Sequence, residues 1–224
     1  MIRGVTPKFG CLNDGHIDEL RMEHHISGNP LLAISACWYW IRKMQARYLA
    51  GGYSEALDAL SKAQPLLSIS PSHFEAAEFY FYGALSHAAS WDFAPPDEKQ
   101  RHFEALKAHH NQLDIWTRNC PENFEARAAL VAAEIARIEG RDLDAMRFYE
   151  LAIRSAHANG FIHNEAIAYE IAARFYAARG FDTISDAYLL AARYGYLRWG
   201  LTAKCANSID NMRSSGRASR PLLP

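Results

Sequence analysis

Residues that favour β-strands are scarce in this sequence. It holds two valines and four threonines among 224 residues, whereas alanine is frequent throughout. β-branched side chains lose χ1 freedom in a helix and alanine loses no side-chain entropy there, so this composition favours helix over sheet. The composition therefore predicts an all-α protein.

Cysteines and long apolar runs are also few. The four cysteines, Cys11, Cys37, Cys120 and Cys205, lie far apart and include no C-x-x-C pair. This pattern indicates reduced thiols and argues against a disulfide framework or a zinc site. No apolar run approaches the ~20 residues that span a bilayer, and the first residues lack the apolar core of a signal peptide. We therefore expect a cytoplasmic protein with no membrane partner.

No excess of one charge sign is present. The formal net charge is −1, which gives no general attraction to nucleic acid. After residue 211 the chain is short, polar, basic and without helical periodicity. We therefore predict a helical-repeat domain over residues 1–211 and a disordered basic tail over residues 212–224.

Evenly spaced glycines are the most informative feature that is present. Gly140, Gly160, Gly180 and Gly200 follow one another at intervals of 20 residues, and no proline lies between residues 122 and 220. Because a glycine just past a helix end readily takes the left-handed conformation, each interval predicts one helix and a tight turn. Two intervals then make a repeat near 40 residues. Upstream, capping residues and prolines mark most of the further predicted helices, at about 17–26, 30–50, 53–67, 71–90, 97–119 and 121–140.

Short turns place consecutive helices antiparallel. The sequence therefore predicts an α-solenoid of antiparallel helix pairs, tetratricopeptide-like, with about ten helices. Small residues are expected where the helices approach each other closely, at Ala56, Ala63, Ala145, Ala152, Ala187 and Ala191.

Motifs for catalysis are missing. The sequence contains no G-x-x-x-x-G-K-[ST] loop, no G-x-G-x-x-G, no kinase H-R-D or D-F-G and no G-x-S-x-G. No enzyme activity, catalytic residue or cofactor is therefore predicted. Neighbouring histidines such as His24 and His25 point about 100° apart on a helix, so no metal site is predicted. Acid pairs such as Glu134 and Glu139 are expected at helix ends and on solvated faces.

Tyrosines and arginines near the end of the chain allow two interpretations. At helical spacing such aromatic residues are more often core, but they can also form the floor of a ligand groove. The candidate groove contacts are Tyr169, Arg174, Tyr176, Arg193 and Arg198. Glu170 and Arg174 lie one turn apart on the polar part of their helix, where they can form an ion pair.

Long stretches of the chain resemble a known family. The resemblance covers about residues 9–206 and is strongest at 37–57, 70–85, 120–153, 159–181 and 187–200. These stretches are similar to the tetratricopeptide-like region of very large bacterial multidomain signalling proteins. In that family the region follows a protein-kinase-like domain and a predicted ATPase domain, and precedes a GAF domain and a two-component sensor histidine kinase. The resemblance implies that the chemistry belongs to flanking domains.

Two functions remain open from the sequence. The first is a non-catalytic scaffold or coupling module of a bacterial signal-transduction kinase, which contacts flanking or separate ATPase and kinase domains through protein-protein interactions. The second is a sensing domain that binds a small molecule in an aromatic and arginine-rich groove.

Overall fold

The computed structural model describes residues 6, 9–14, 16–69, 74–201 and 204, and within these residues it is all-helical. The predicted basic tail at 212–224 and the predicted domain end at residue 211 lie outside the described residues. So does the predicted start of a helix at residue 71. The described helices are α1 (Glu19–Ser27), α2 (Ala33–Leu49), α3 (Tyr53–Ala63), α4 (Phe74–Trp91), α5 (Pro96–Asn119), α6 (Pro121–Ile138), α7 (Asp142–Ala158), α8 (Ile162–Ala177) and α9 (Asp182–Trp199). Two 3₁₀ segments, Pro30–Leu32 and Gln64–Ile69, precede α2 and follow α3.

The four regularly spaced glycines end helices as predicted. Gly140, Gly160, Gly180 and Gly200 have φ values of 73°, 73°, 78° and 85°. The N–H of the residue after each glycine donates to the carbonyl five residues earlier, at 2.8 to 3.0 Å. This arrangement satisfies carbonyls that the helix end leaves without an intrahelical donor, so each glycine allows the chain to turn directly into the next helix.

Helix pairs stack in one continuous series. The pairs α2–α3, α4–α5, α6–α7 and α8–α9 are each packed as hairpins, and their first helices also contact one another in the order α2, α4, α6, α8. We call these four first helices the inner row. They begin at residues 33, 74, 121 and 162, close to the predicted period of 40. The α-solenoid prediction is confirmed.

Close approach between helices depends on small residues, as predicted, in all but the last pair. Ala56, Ala63, Ala145 and Ala152 are fully buried. The prediction was wrong for Ala187, which is exposed on α9 because no described helix follows to cover that face. In this pair Gly195 makes the close contact, since a Cβ added there would lie 2.8 Å from the Cβ of Ala166.

The segment before α1 is fixed to the inner row by charge. Arg47 on α2 donates to the carbonyl of Gly10 at 2.5 Å and to the carboxylate of Glu19 at 2.6 Å. Burial alone would raise the pKa of Glu19, but the N–H of Leu12 and the cations of Arg47 and Lys43 hold it below its usual value. These contacts hold the segment around Gly10 and the start of α1 against α2, in the first helix pair.

A buried ion pair joins the middle of the inner row. Arg127 on α6 donates to Glu78 on α4 at 2.9 Å, and the two residues are 1% and 2% exposed. Gln45 on α2 donates to the other oxygen of Glu78 at 3.2 Å and to the hydroxyl of Tyr82 at 3.1 Å. The network therefore links three successive repeats.

We expect Glu78→Ala to lower the free energy of unfolding by about 3–5 kcal/mol, because it leaves the buried guanidinium of Arg127 without a counter-charge. The matched control is Glu75→Ala, which removes the partner of the partly exposed Arg42 and should cost ~1 kcal/mol or less. Urea unfolding followed by circular dichroism measures both. Equal losses of unfolding free energy in the two variants would contradict a larger contribution of the buried Glu78–Arg127 pair to stability.

Three histidines pack together between α4 and α5. The Nδ1 atoms of His87 and His102 lie 3.0 Å apart, and the ring of His109 is centred 5.7 Å from that of His87. Burial lowers the pKa of His87 to about 3, with His109 and His102 adding to the effect, and burial lowers the pKa of His109 to about 4. These two rings are therefore neutral in the folded chain at pH 7.

We expect this cluster to make the fold acid-sensitive. The histidines of the unfolded chain have a pKa of about 6.5, so below this pH they bind protons that the folded chain does not bind. The free energy of unfolding therefore decreases as the pH is lowered from about 6.5 to about 4. His109→Phe should reduce the loss of unfolding free energy between pH 7 and pH 5 by roughly 2 kcal/mol. His25→Phe, at an exposed position of α1, is the control and should leave that loss unchanged.

Candidate binding groove

The C-terminal ends of all four inner helices surround one cavity of about 300 Å³. We call it the groove. Its lining comes from every repeat of the solenoid and includes Tyr48, Leu85, Phe93, Arg137, Arg174 and Arg179. Because α2 and α8 both contribute, the inner row curves enough to bring the first and the last described pairs around a common space.

Apolar side chains form much of the groove wall. Leu85 is buried on α4, and Ile171 and Phe175 are buried on adjacent turns of α8. Phe93, in the turn after α4, also lines the groove but is 84% exposed. The groove therefore has an apolar floor with an exposed aromatic ring at its rim.

The guanidinium of Arg137 is hydrogen-bonded to two neighbouring carboxylates. It donates to both carboxylate oxygens of Glu134 at 2.9 to 3.1 Å and to Asp92 at 2.8 Å. Tyr149 donates its hydroxyl hydrogen to the same glutamate. The expectation that Glu134 lies on a solvated face was wrong: it is 5% exposed, because α4 and α7 cover it on either side of α6.

Arg174 joins the first and the fourth described helix pairs. Its Nη1 donates to the hydroxyl oxygen of Tyr53 at 3.0 Å, from the fourth described helix pair to the first. Burial would lower the pKa of Arg174, but Tyr53 and Glu170 raise it well above its usual value. The residue is therefore a permanent cation in the groove.

The expected ion pair between Glu170 and Arg174 is not a direct one. Glu170 instead pairs with Lys204 at 2.7 Å and accepts the hydroxyl hydrogen of Tyr196. Burial would raise the pKa of Glu170, but Lys204 and Arg174 lower it. Glu170 and Arg174 thus interact through their charges, while each bonds to residues from other parts of the chain.

A family described as CHK1-like, TPR repeats, matches residues 15–177. The chain belongs to this family. Its fold is therefore a tetratricopeptide-like helical repeat, a scaffold for contacts between proteins. No curated protein and no solved structure matches the chain.

Two further properties of this repeat scaffold follow from the residues that the structure describes. Among them, no helix combines the length and the apolar character needed to cross a membrane. In the same part of the chain, no three His, Cys, Asp or Glu side chains form a group that could hold a metal ion.

The five candidate contacts from the sequence do not come together in the repeat scaffold. Arg174 lines the groove. Tyr169 and Tyr176 pack edge-on against Tyr188 of α9, with ring centres 5.3 and 5.5 Å apart, and Tyr188 donates its hydroxyl hydrogen to Glu150 on α7. The tyrosines thus serve helix packing, because their face of α8 meets α9.

The remaining two candidates, Arg193 and Arg198, are exposed on α9, an outer helix, where the guanidinium of Arg198 lies 5.7 Å from the ring centre of Tyr194. Neither arginine lines the groove. A ligand contact at these residues stays a prediction.

Several groove residues were missed from the sequence, namely Tyr48, Tyr53, Phe93, Arg137 and Arg179. One signal was present. Glu134 and Arg174 are separated by 40 residues, one repeat period, and both face the groove from equivalent turns of α6 and α8. Polar residues at equivalent positions of successive inner helices could have marked this surface. Nothing local marked Phe93, which lies in a turn.

Proposed function

We propose that this chain is a cytoplasmic, non-catalytic scaffold or coupling module of a bacterial signal-transduction kinase, and that its groove binds a segment of a partner protein. The partners are flanking or separate ATPase and kinase domains. The family supports the scaffold role. The sequence resemblance to large bacterial signalling proteins supports the kinase context.

The observation that carries the proposal is the exposed ring of Phe93 beside an apolar floor. Water-exposed aromatic side chains next to a concave apolar surface are typical of binding hot spots, because a partner gains much buried area from one rigid group. The first and last helix pairs already meet through Tyr53 and Arg174. The groove is therefore preformed, which lowers the entropy lost when a partner binds.

We expect Phe93→Ala to weaken binding of the partner domain by about ten- to a hundredfold, as is typical of an aromatic hot spot. Isothermal titration of the purified chain with the kinase-like, ATPase and sensor histidine kinase domains of a related signalling protein measures this. Leu190→Ala is the matched control, because Leu190 is 69% exposed on the outer helix α9. If none of the three domains binds the wild-type chain, or if both variants bind as tightly as wild type, the proposal is wrong.

A small-molecule-sensing role is the second candidate, and the volume of the groove supports it. A volume of about 300 Å³ lies at the lower end of those that hold small ligands. Thermal shift with a panel of cellular metabolites separates the two functions, since a ligand that binds only the folded chain raises its melting temperature. A stabilising metabolite whose effect is lost in Phe93→Ala would favour sensing.

A further inference from the structure

We propose that the groove binds a carboxylate of the partner segment through Arg174, with an apolar side chain of the same segment on the floor beside it. This inference rests on the proposed function, because it assigns the chemistry of the segment that the groove accepts. It requires the partner segment to have a carboxylate at the position that contacts Arg174, from either a side chain or a chain end.

Within the described part of the chain, the ion pairs of the groove leave Arg174 without a carboxylate in contact. Arg137 is taken by Glu134 and Asp92, and Arg179 donates to Asp142 at 2.5 Å. For Arg174, no carboxylate lies within 4.0 Å among the described residues. Its nearest acid along the helix, Glu170, is held by Lys204 and Tyr196. Of the three arginines in the groove lining, Arg137 and Arg179 are thus paired with carboxylates, and Arg174 is the one with donors left for a ligand among the described residues.

The helix ends around the groove do not cancel this charge. The C-terminal ends of helices carry partial negative charge, which would oppose an anion. Here, however, the last carbonyls already accept backbone hydrogen bonds: those of Arg47, Ala136 and Tyr176 accept from Gly52, Arg141 and Phe181 at 2.9, 2.8 and 3.0 Å. The hydrogen bonds to these three carbonyls thus offset part of the negative charge at the helix ends before a ligand arrives.

The donors at Arg174 suit a carboxylate in particular. Among the described residues its guanidinium makes one hydrogen bond, from Nη1 to Tyr53, so its other N–H groups can reach a ligand. The planar guanidinium matches the two oxygens of a carboxylate in a bidentate pair. Tyr53 accepts with its oxygen, so its own hydroxyl hydrogen can be donated to the same ligand. Ile171 and Phe175, one on each side of Arg174 along α8, line the same cavity and can hold an apolar side chain.

Three short peptides test the chemistry and its source. They are acetyl-Ala-Glu-Phe-Ala-amide, its glutamine analogue with an amide end, and the glutamine analogue with a free carboxyl end. We expect NMR titration of the labelled full chain to show shifts at groove residues with the glutamate peptide and none with the neutral amide. Shifts with the third peptide would identify the chain end as a second source of carboxylate. Equal binding of the glutamate peptide and the neutral amide would overturn the inference.

Variants then assign the contact to one residue. Arg174→Gln should weaken binding of the glutamate peptide at least tenfold. Arg174→Lys keeps the positive charge but not the planar guanidinium, and should weaken binding of this peptide only a few-fold. Arg154→Gln, the same change at an exposed position of α7 away from the groove lining, should leave binding unchanged. Full binding by Arg174→Gln would overturn the inference. If that variant does not fold, as judged by circular dichroism, the Arg174→Lys titration and the peptide comparison decide.

The two proposals fail in different ways. If a partner domain binds and depends on Phe93 but not on Arg174, the carboxylate contact is wrong and the scaffold function stands. If no partner domain binds at all, the scaffold function is wrong whatever the peptides show.

Discussion

A helix pair of this chain has apolar side chains on two faces, and packing within the pair covers only one of them. The second face leaves water when the next pair stacks against it, so each repeat depends on its neighbours. Because the stacking brings polar groups inside with the apolar ones, the inner row also needs internal partners such as Glu78 for Arg127.

Curvature of the stack determines where the candidate site lies. Inner helices are closer together than outer ones, and after four pairs Arg174 reaches Tyr53 near the start of the solenoid. A straight array would leave these residues far apart, and no common cavity would form. The curve therefore brings charged groups from different repeats around one cavity, and ion pairs such as Arg137 with Glu134 offset part of the desolvation cost of enclosing them.

Local and long-range features differ in how well the sequence predicts them. A helix end at Gly140 or Gly180 depends only on a residue that tolerates positive φ, so the helix bounds and the repeat were predicted. The burial of Glu134 and the ion pair of Glu170 with Lys204 depend on contacts outside their own helices, and the solvated face expected for Glu134 was wrong. Phe93 shows the same limit, since only the curvature places its turn beside α8. The fold was thus largely predictable and the groove largely was not.

Because the groove is lined by all four described helix pairs, its shape and the curvature of the solenoid are linked. A segment bound between Phe93, Tyr53 and Arg174 contacts α3, α8 and the turn after α4 at once. Such a segment binds most tightly at the curvature where all three contacts fit, and it therefore stabilises that curvature over others. By reciprocity, any domain that holds the two ends of the solenoid at a fixed distance changes the affinity of the groove. In the proposed function, the helical-repeat scaffold couples two domains in this way.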